Sequence, residues 1–252
     1  MTKIIALSNQ KGGVGKTTTA INLATAIAAC KKNVLVVDFD PQGNATTGFG
    51  VNKDSSHENI YTLITGRTNI NESIKKTNVS GVDIIASTID LSGAELELAG
   101  VVAREYRLIN ELNKIKENYD YIFIDCPPSL GLLTINALTA ASDILIPLQS
   151  EFFAMEGLAQ LFRTIEIVKK SINPSLNIMG ILLTMFDKRN KLSSAVETDV
   201  RQFLGDKVFD IVIPRNVRLS EAPSHGKPAL VYDINCPGSV SYMKLAAEVL
   251  KR

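Results

Sequence analysis

The order of elements in this sequence predicts an α/β fold, a doubly wound and mostly parallel sheet flanked by helices on both faces. Three observations predict it. Short runs of β-branched and other apolar residues alternate with longer helical stretches, the pattern of repeated strand–helix–strand units. The runs are nearly continuous in apolar residues, as strands covered on both faces require. A glycine-rich loop also lies directly between the first run and the first helical stretch.

Taken in order, the strand candidates are KIIALS (3–8), NVLVVDF (33–39), VDIIAS (82–87), YIFIDC (121–126), DILIPL (143–148), NIMGILLTMF (177–186) and KVFDIVI (207–213). Helical stretches are expected near 16–30, 93–117, 130–141, 155–172, 191–204 and 239–251. Residues 43–80, rich in Gly, Asn, Ser and Thr, read as surface excursions. No internal repeat, low-complexity tract or linker divides the 252 residues, so one domain over 1–252 is expected.

Composition narrows the class. The chain is 45% hydrophobic and 21% charged with a formal net charge of +1, so any cationic surface is local rather than global. Cys30, Cys126 and Cys236 lie far apart, have no metal-ligand spacing and are odd in number. They read as reduced, mostly buried thiols of a cytoplasmic protein. The N-terminal MTKIIALSNQ is too short for a signal peptide, and no apolar run approaches the ~18 residues of a membrane span.

Residues 11–18 read KGGVGKTT. Gly12, Gly13 and Gly15 let the backbone wrap an anion closely, with Val14 between them, and the helix that follows offers its N-terminal dipole. Lys16 is placed to reach β- and γ-phosphates and the Thr17 hydroxyl to ligate Mg²⁺, with Thr18 completing the loop. The segment predicts a phosphate loop for ATP with Mg²⁺; the bland reading is a glycine-rich turn with a chance Lys–Thr.

Aspartates follow two of the strand candidates, where open α/β sheets place ligand sites. Asp125, after YIFI, either holds Mg²⁺ through water or caps a following helix. Asp38 and Asp40, two residues apart, fall on one face of an extended backbone. Of the two histidines, His225 reads as a surface or capping residue and His57 receives no role. Pro214, Arg215 and Asn216 read as a strand-to-helix turn.

The motifs add up to a family resemblance. The position where the usual phosphate loop has its first glycine is Gln10, and Lys11 follows, which resembles the deviant loop of the ParA/MinD superfamily of ATPases. DFDPQGNAT (38–46) is similar to the switch region of ParA-type members, and IPRNVRLSEAPSHGKP (213–228) to the adenine-binding block of the chromosomal ParA/Soj group. The blocks occur in order along nearly the whole chain. The resemblance implies that Lys11 reaches across a nucleotide-sandwich homodimer to the partner's ATP. It further implies that Asp40 orients the attacking water, Asp38 supports the metal or the switch, and Pro214 and Asn216 contact the base. Only eight residues precede Asn9, so the short, chromosomal type without an N-terminal DNA-binding extension is expected, with a short plasmid version as the alternative.

By the same resemblance the ATP dimer binds duplex DNA without sequence preference, and a ParB-type centromere-binding protein stimulates slow hydrolysis. The cluster Lys188, Arg189 and Lys191, together with Arg215 and Arg218, supplies the candidate phosphate contacts, Arg189 and Arg218 foremost, although Asp187, Glu197, Asp199 and Glu221 intersperse. The expected location is cytoplasmic and nucleoid-associated, without stable membrane insertion. A MinD-like membrane regulator is the alternative. Against it, Leu245, Val249 and Leu250 in the C-terminal stretch fit core packing, and no long cationic tail follows them. An iron–sulfur electron carrier would need cysteines placed to hold a cluster, and a metabolic P-loop enzyme would need a second substrate motif; neither is visible.

Overall fold

A computed structural model describes residues 2–53, 57–151 and 154–252, with 154–156 in backbone only. Its strands are β1 (Lys3–Leu7), β2 (Val34–Asp38), β3 (Ile74–Lys76), β4 (Val82–Ile85), β5 (Tyr121–Asp125), β6 (Asp143–Gln149) and β7 (Asn177–Thr184). They form one sheet in the order β3-β4-β2-β5-β1-β6-β7. Every neighbouring pair is parallel except β3 with β4.

The first strand sits between β5 and β6, so the chain leaves β1 toward one side of the sheet and later crosses to the other. In open α/β sheets the cleft beyond the strand C-termini at such a reversal is where ligands bind. The register makes this concrete: Leu7 of β1 and Asp38 of β2 both stand level with Asp125 of β5.

Side-chain alternation splits the core into two layers. Ile4, Ala6, Leu35, Val37, Ile122 and Ile124 pack on one face. Ile5, Leu7, Val34, Val36 and Phe123 pack on the other, against the helices Lys16–Ala29 and Pro237–Val249. Leu245 and Val249 of the last helix are fully buried, as their spacing predicts. The expected helices near 130–141, 155–172 and 191–204 are found at Leu132–Ala140, Ala154–Ser171 and Lys191–Leu204. Among the described residues no helix is long and apolar enough to cross a membrane.

Three expectations are corrected. Residues 207–213 form no continuous strand: they meet β7 at the isolated bridge of Val208 with Ile181 and through the Ile213 N–H, which donates to the Leu183 carbonyl at 2.8 Å. The backbone N–H groups of Asp210 and Ile211 donate instead to the Glu248 carboxylate at 3.1 and 3.3 Å, so helix side chains satisfy what a ladder would have. The helix expected over 93–117 is broken into short turns, with Ala103 in the left-handed region at φ 56°. The bend lets Leu98 and Leu108 both enter the core and leaves Val102 exposed. Residues 43–80 are more than surface excursions. They carry the short helices Asn44–Gly48, Ile60–Ile64 and Ile70–Ser73 and the edge strand β3, and bury Ile60, Leu63, Ile64 and Ile70; 54–56 lie outside the described residues. Of the cysteines, Cys126 and Cys236 are buried and Cys30 is exposed.

Candidate functional site

The loop after β1 owes its shape to two glycines in left-handed backbone, Gly13 at φ 76° and Gly15 at φ 90°. Both conformations disfavour a side chain. Gly12 differs: its φ is not positive, and a Cβ built there would meet nothing within 4 Å inside this chain. The neighbouring strands hold the loop. The Asn9 amide donates to the Pro147 carbonyl at 2.7 Å and its oxygen accepts from the Lys11 N–H at 3.0 Å. The Thr184 hydroxyl, at the end of β7, donates to the Val14 carbonyl at 2.8 Å. Val14 therefore anchors the loop in the core.

Lys16 opens the helix Lys16–Ala29 and is buried, with its ammonium donating to the Lys11 carbonyl at 3.2 Å. Burial lowers its pKa, and its negative neighbours, Asp125 foremost, offset part of that. The Lys11 ammonium points elsewhere, to the carboxylate of Glu151 beyond β6; Glu151 in turn accepts from the Gln149 amide at 2.5 Å.

Behind Lys16 the chain buries acid. Asp38 and Asp125 are fully buried at the ends of adjacent strands, and Asp40 is 8% exposed. Asp38 is well bonded: the Thr46 N–H and hydroxyl donate to it at 2.7 and 2.6 Å and the Asp40 N–H at 3.4 Å. Burial still pushes its carboxyl up to about 6. Asp125 is raised as well, by burial first and then by Asp38 beside it. Thr17 and Lys16 are near enough to oppose that rise, yet neither Asp125 oxygen has a formed hydrogen bond. Asp40 accepts from the Gln42 N–H at 2.9 Å with one oxygen.

These elements enclose a cavity of about 920 Å³ at the strand C-termini. Gly12, Gly13, Gly15, Lys16, Thr17, Thr18 and Asp40 line it together with Pro214 and Asn216. The cavity has the size of a small-molecule site, roughly 300–1,000 Å³. Asn216 stands at the N-cap of the helix Val217–Glu221 without capping it, and its buried side-chain oxygen has no hydrogen-bond partner. Lys11, Val14, Asp38 and Asp125 are not on the cavity surface, although Asp125 is near enough to act on the Lys16 charge.

Sequence reasoning missed Thr46, Thr184, Met185 and Tyr242. Thr46 holds Asp38, and the other three line the cavity. Thr184 ends a strand beside the switch point, a position that the ligand rule for α/β sheets flags. Tyr242 is brought from the C-terminal helix by its hydrogen bond to Thr19 at 3.0 Å, and no local signal marks it.

Of the basic candidates Arg215 lines this cavity, while Lys188, Arg189, Lys191 and Arg218 lie outside it. Arg189 is 90% exposed and grips Asp187 with two nitrogens at 3.0 and 2.9 Å, holding that carboxyl down to about 2. Arg218, half-exposed, pairs with Glu221 at 2.7 Å and Asp233 at 3.6 Å. Lys188 and Lys191 are exposed.

Could the site hold a divalent cation? Among the described residues no three His, Cys, Asp or Glu side chains converge into a cage. The orphaned Asp125 carboxylate beside Thr17 nevertheless fits a cation that draws its remaining oxygens from a phosphate ligand and water.

A parallel doubly wound sheet, a glycine loop running into a helix, a buried lysine and strand-end aspartates define a P-loop nucleotide-binding protein. An AAA domain family model matches residues 2–178. The chain is 54% identical to the chromosome partitioning protein ParA of Caulobacter vibrioides, over 99% of this chain and 94% of that protein. It is 53% identical to the sporulation initiation inhibitor protein Soj of Bacillus subtilis, over 99% and 98%. This chain therefore belongs to the ParA/Soj family of chromosome-partitioning ATPases. Among solved structures, cobyrinic acid a,c-diamide synthase of Mycobacterium smegmatis with bound ADP and magnesium superposes with a TM-score of 0.88 at 35% identity, covering 100% and 95% of the two chains. The septum site-determining protein MinD of Pyrococcus horikoshii, complexed with Mg-ADP, gives 0.82 at 26%, covering 99% and 96%.

Proposed function

We propose that this chain, as one domain over 1–252, binds ATP with Mg²⁺ in the cavity, dimerises through it and hydrolyses it slowly. In the ATP state the dimer binds duplex DNA without sequence preference, and a ParB-type partner accelerates turnover. Such a protein works in the cytoplasm on the nucleoid. The observation that carries this reading is the fully buried Asp125, both oxygens unpartnered, next to a buried lysine at a phosphate loop. An isolated buried charge is costly, and a ligand that brings a compensating cation removes the cost.

In this reading Lys16 and the loop N–H groups grip the β- and γ-phosphates. Thr17 and Asp125 hold Mg²⁺, which when bound neutralises charge on the phosphate oxygens. Asp38 keeps the helix Asn44–Gly48 in place through Thr46. Asp40 has one oxygen fixed by Gln42 and offers the other to orient the attacking water. Pro214 stacks on the base and the idle Asn216 oxygen accepts from its edge. Lys11 exchanges Glu151 for the partner's phosphate when two loops meet, and Arg189, Arg218, Lys188 and Lys191 face DNA phosphates.

Sedimentation with ATP or ADP, with and without nonspecific duplex, tests the whole. The parent is expected to dimerise and bind DNA only with ATP. Gly12→Val should bind ATP as a monomer, since nothing inside the chain opposes a side chain there and only a second loop would. Asp40→Ala should dimerise with ATP and turn over about 10²-fold or more slowly. If both variants dimerise alike and hydrolyse at the parental rate, the sandwich and switch assignments fail. ATP-dependent pelleting with anionic vesicles in place of DNA would instead establish the membrane-regulator alternative.

A further inference from the structure

Two glycines from distant segments meet backbone to backbone. Gly50 (φ 71°) ends the turn after the helix Asn44–Gly48, and Gly226 (φ 60°) ends the turn after residues 222–225. A Cβ on Gly50 would fall 2.8 Å from the Gly226 carbonyl oxygen, and one on Gly226 would fall 2.8 Å from the Gly50 Cα. Both clashes are with backbone, so no side chain can rotate away to relieve them. Neither position accepts alanine's preferred dihedrals either.

Each glycine closes a rigid unit. On one side the Gly43 N–H bonds the Asp40 carbonyl at 2.9 Å, Thr46 grips Asp38, and the Gly50 N–H bonds the Thr47 carbonyl at 2.9 Å. Residues 40–50 thus move with the water-positioning Asp40. On the other side the Gly226 N–H bonds Pro223 at 3.0 Å, and this turn continues the helix that begins at Asn216. A further bond ties that wall to the phosphate-loop helix: the Ala229 N–H donates to Asn22 at 2.8 Å, whose amide donates to the Thr18 carbonyl at 2.8 Å.

We infer that the Gly50–Gly226 backbone contact transmits occupancy of the base wall to the loop that carries Asp40, making both glycines positioning residues for hydrolysis. A base seated against Pro214 and Asn216 fixes the 214–226 wall; the wall, through this contact, fixes 40–50 and with it the Asp40 carboxylate. Recognition of the base then raises turnover as well as affinity. The inference rests on the proposed assignment of ATP to this cavity.

The test compares ATP with inosine triphosphate, whose base presents an oxo group where adenine has an amino group, using full-length protein. Losing the hydrogen bond to the Asn216 oxygen should cost roughly tenfold. In the parent that factor is expected in kcat as well as in KM. In Gly226→Ala and in Gly50→Ala, checked for folding by circular dichroism and thermal melting, it should persist in KM and vanish from kcat. Gly205→Ala is the control for backbone strain alone: Gly205 has φ 52°, a Cβ there meets nothing within 4 Å, and the parental split should survive. The inference is overturned if the parent hydrolyses both nucleotides with equal kcat at saturation, a result that needs no variant to fold. It is also overturned if both glycine variants keep the parental kcat ratio. If the parent neither binds nor hydrolyses either nucleotide, the assignment of the cavity itself falls, and the coupling with it.

Discussion

At the ends of β2 and β5 the chain buries Asp38 and Asp125 side by side and leaves both carboxyl oxygens of Asp125 without a formed hydrogen bond. At the arginine surface the arrangement is reversed. Arg189 and Arg218 stand in solvent, and each already holds carboxylates of its own, Asp187 for the first, Glu221 and Asp233 for the second. Burying an ion costs several kcal/mol unless something compensates it, whereas an exposed ion pair is worth about 0–1 kcal/mol. The difference teaches where a static structure speaks. An unsatisfied buried group points to a missing ligand, while a satisfied exposed one is compatible with DNA contact and with an ordinary solvated face.

The largest effect expected at the buried region is that of Lys16→Ala. It removes a charge-assisted contact from a preorganised anion site, and affinity for a fluorescent ATP analogue should fall by about two orders of magnitude. Near-parental affinity would break the contrast at its stronger end.

The arginine surface is sharpened by salt. If Arg189 and Arg218 touch phosphates in both subunits, replacing both with Glu should lower the slope of log affinity against log salt by on the order of four, at roughly 0.9 per contact. The loss should be equal on every duplex sequence, since phosphates carry no base identity. Asp187→Asn makes the opposite case: it frees the Arg189 guanidinium and should tighten binding modestly. An unchanged slope in the double variant removes these residues from the DNA surface.

Smaller again is a pH effect from the buried acids. Burial pushes the Asp38 carboxyl from an ordinary 3.8 up to about 6 and raises that of Asp125 as well. A carboxyl raised by folding holds its proton more tightly in the folded chain, so its contribution erodes as pH climbs through that window and is fully lost above it. Without nucleotide and Mg²⁺, thermal stability should therefore drop from about pH 4 to about pH 6. Asp125→Asn should flatten the drop and raise the melting temperature at neutral pH by a few degrees. A steeper drop in that variant would show that Asp125 is compensated in the free protein.

The smallest effect concerns Lys11, half-exposed in its pair with Glu151. Such a pair is worth about 0.2–1 kcal/mol, so Glu151→Gln should tighten ATP-dependent dimerisation by only about 1.5- to 5-fold. Sedimentation equilibrium at graded ATP would resolve that, and no change would mean that the pair does not compete with the trans contact.

The sequence by itself determined the local parts. Gly13 and Gly15 are glycines because their backbone is left-handed, Lys16 and Thr17 follow where a helix begins, and Asp38 and Asp125 end apolar runs, all within a few residues of the signal that marks them. Strand order belongs to the tertiary structure. Nothing near residue 38 says that β2 pairs with β5, yet that pairing sets two carboxylates side by side, and Asp38 adds to the burial that raises Asp125. Residues 207–213 carry a strand's composition, yet the N–H groups of Asp210 and Ile211 go to Glu248 rather than to a ladder, because β-forming residues describe a surface that packs rather than a partner that accepts. The idle Asn216 oxygen, Tyr242 at the cavity wall and the meeting of Gly50 with Gly226 depend on segments far apart in the chain. Periodicity and loop chemistry are short-range, whereas packing forces distant backbones together, and only the folded chain shows which ones.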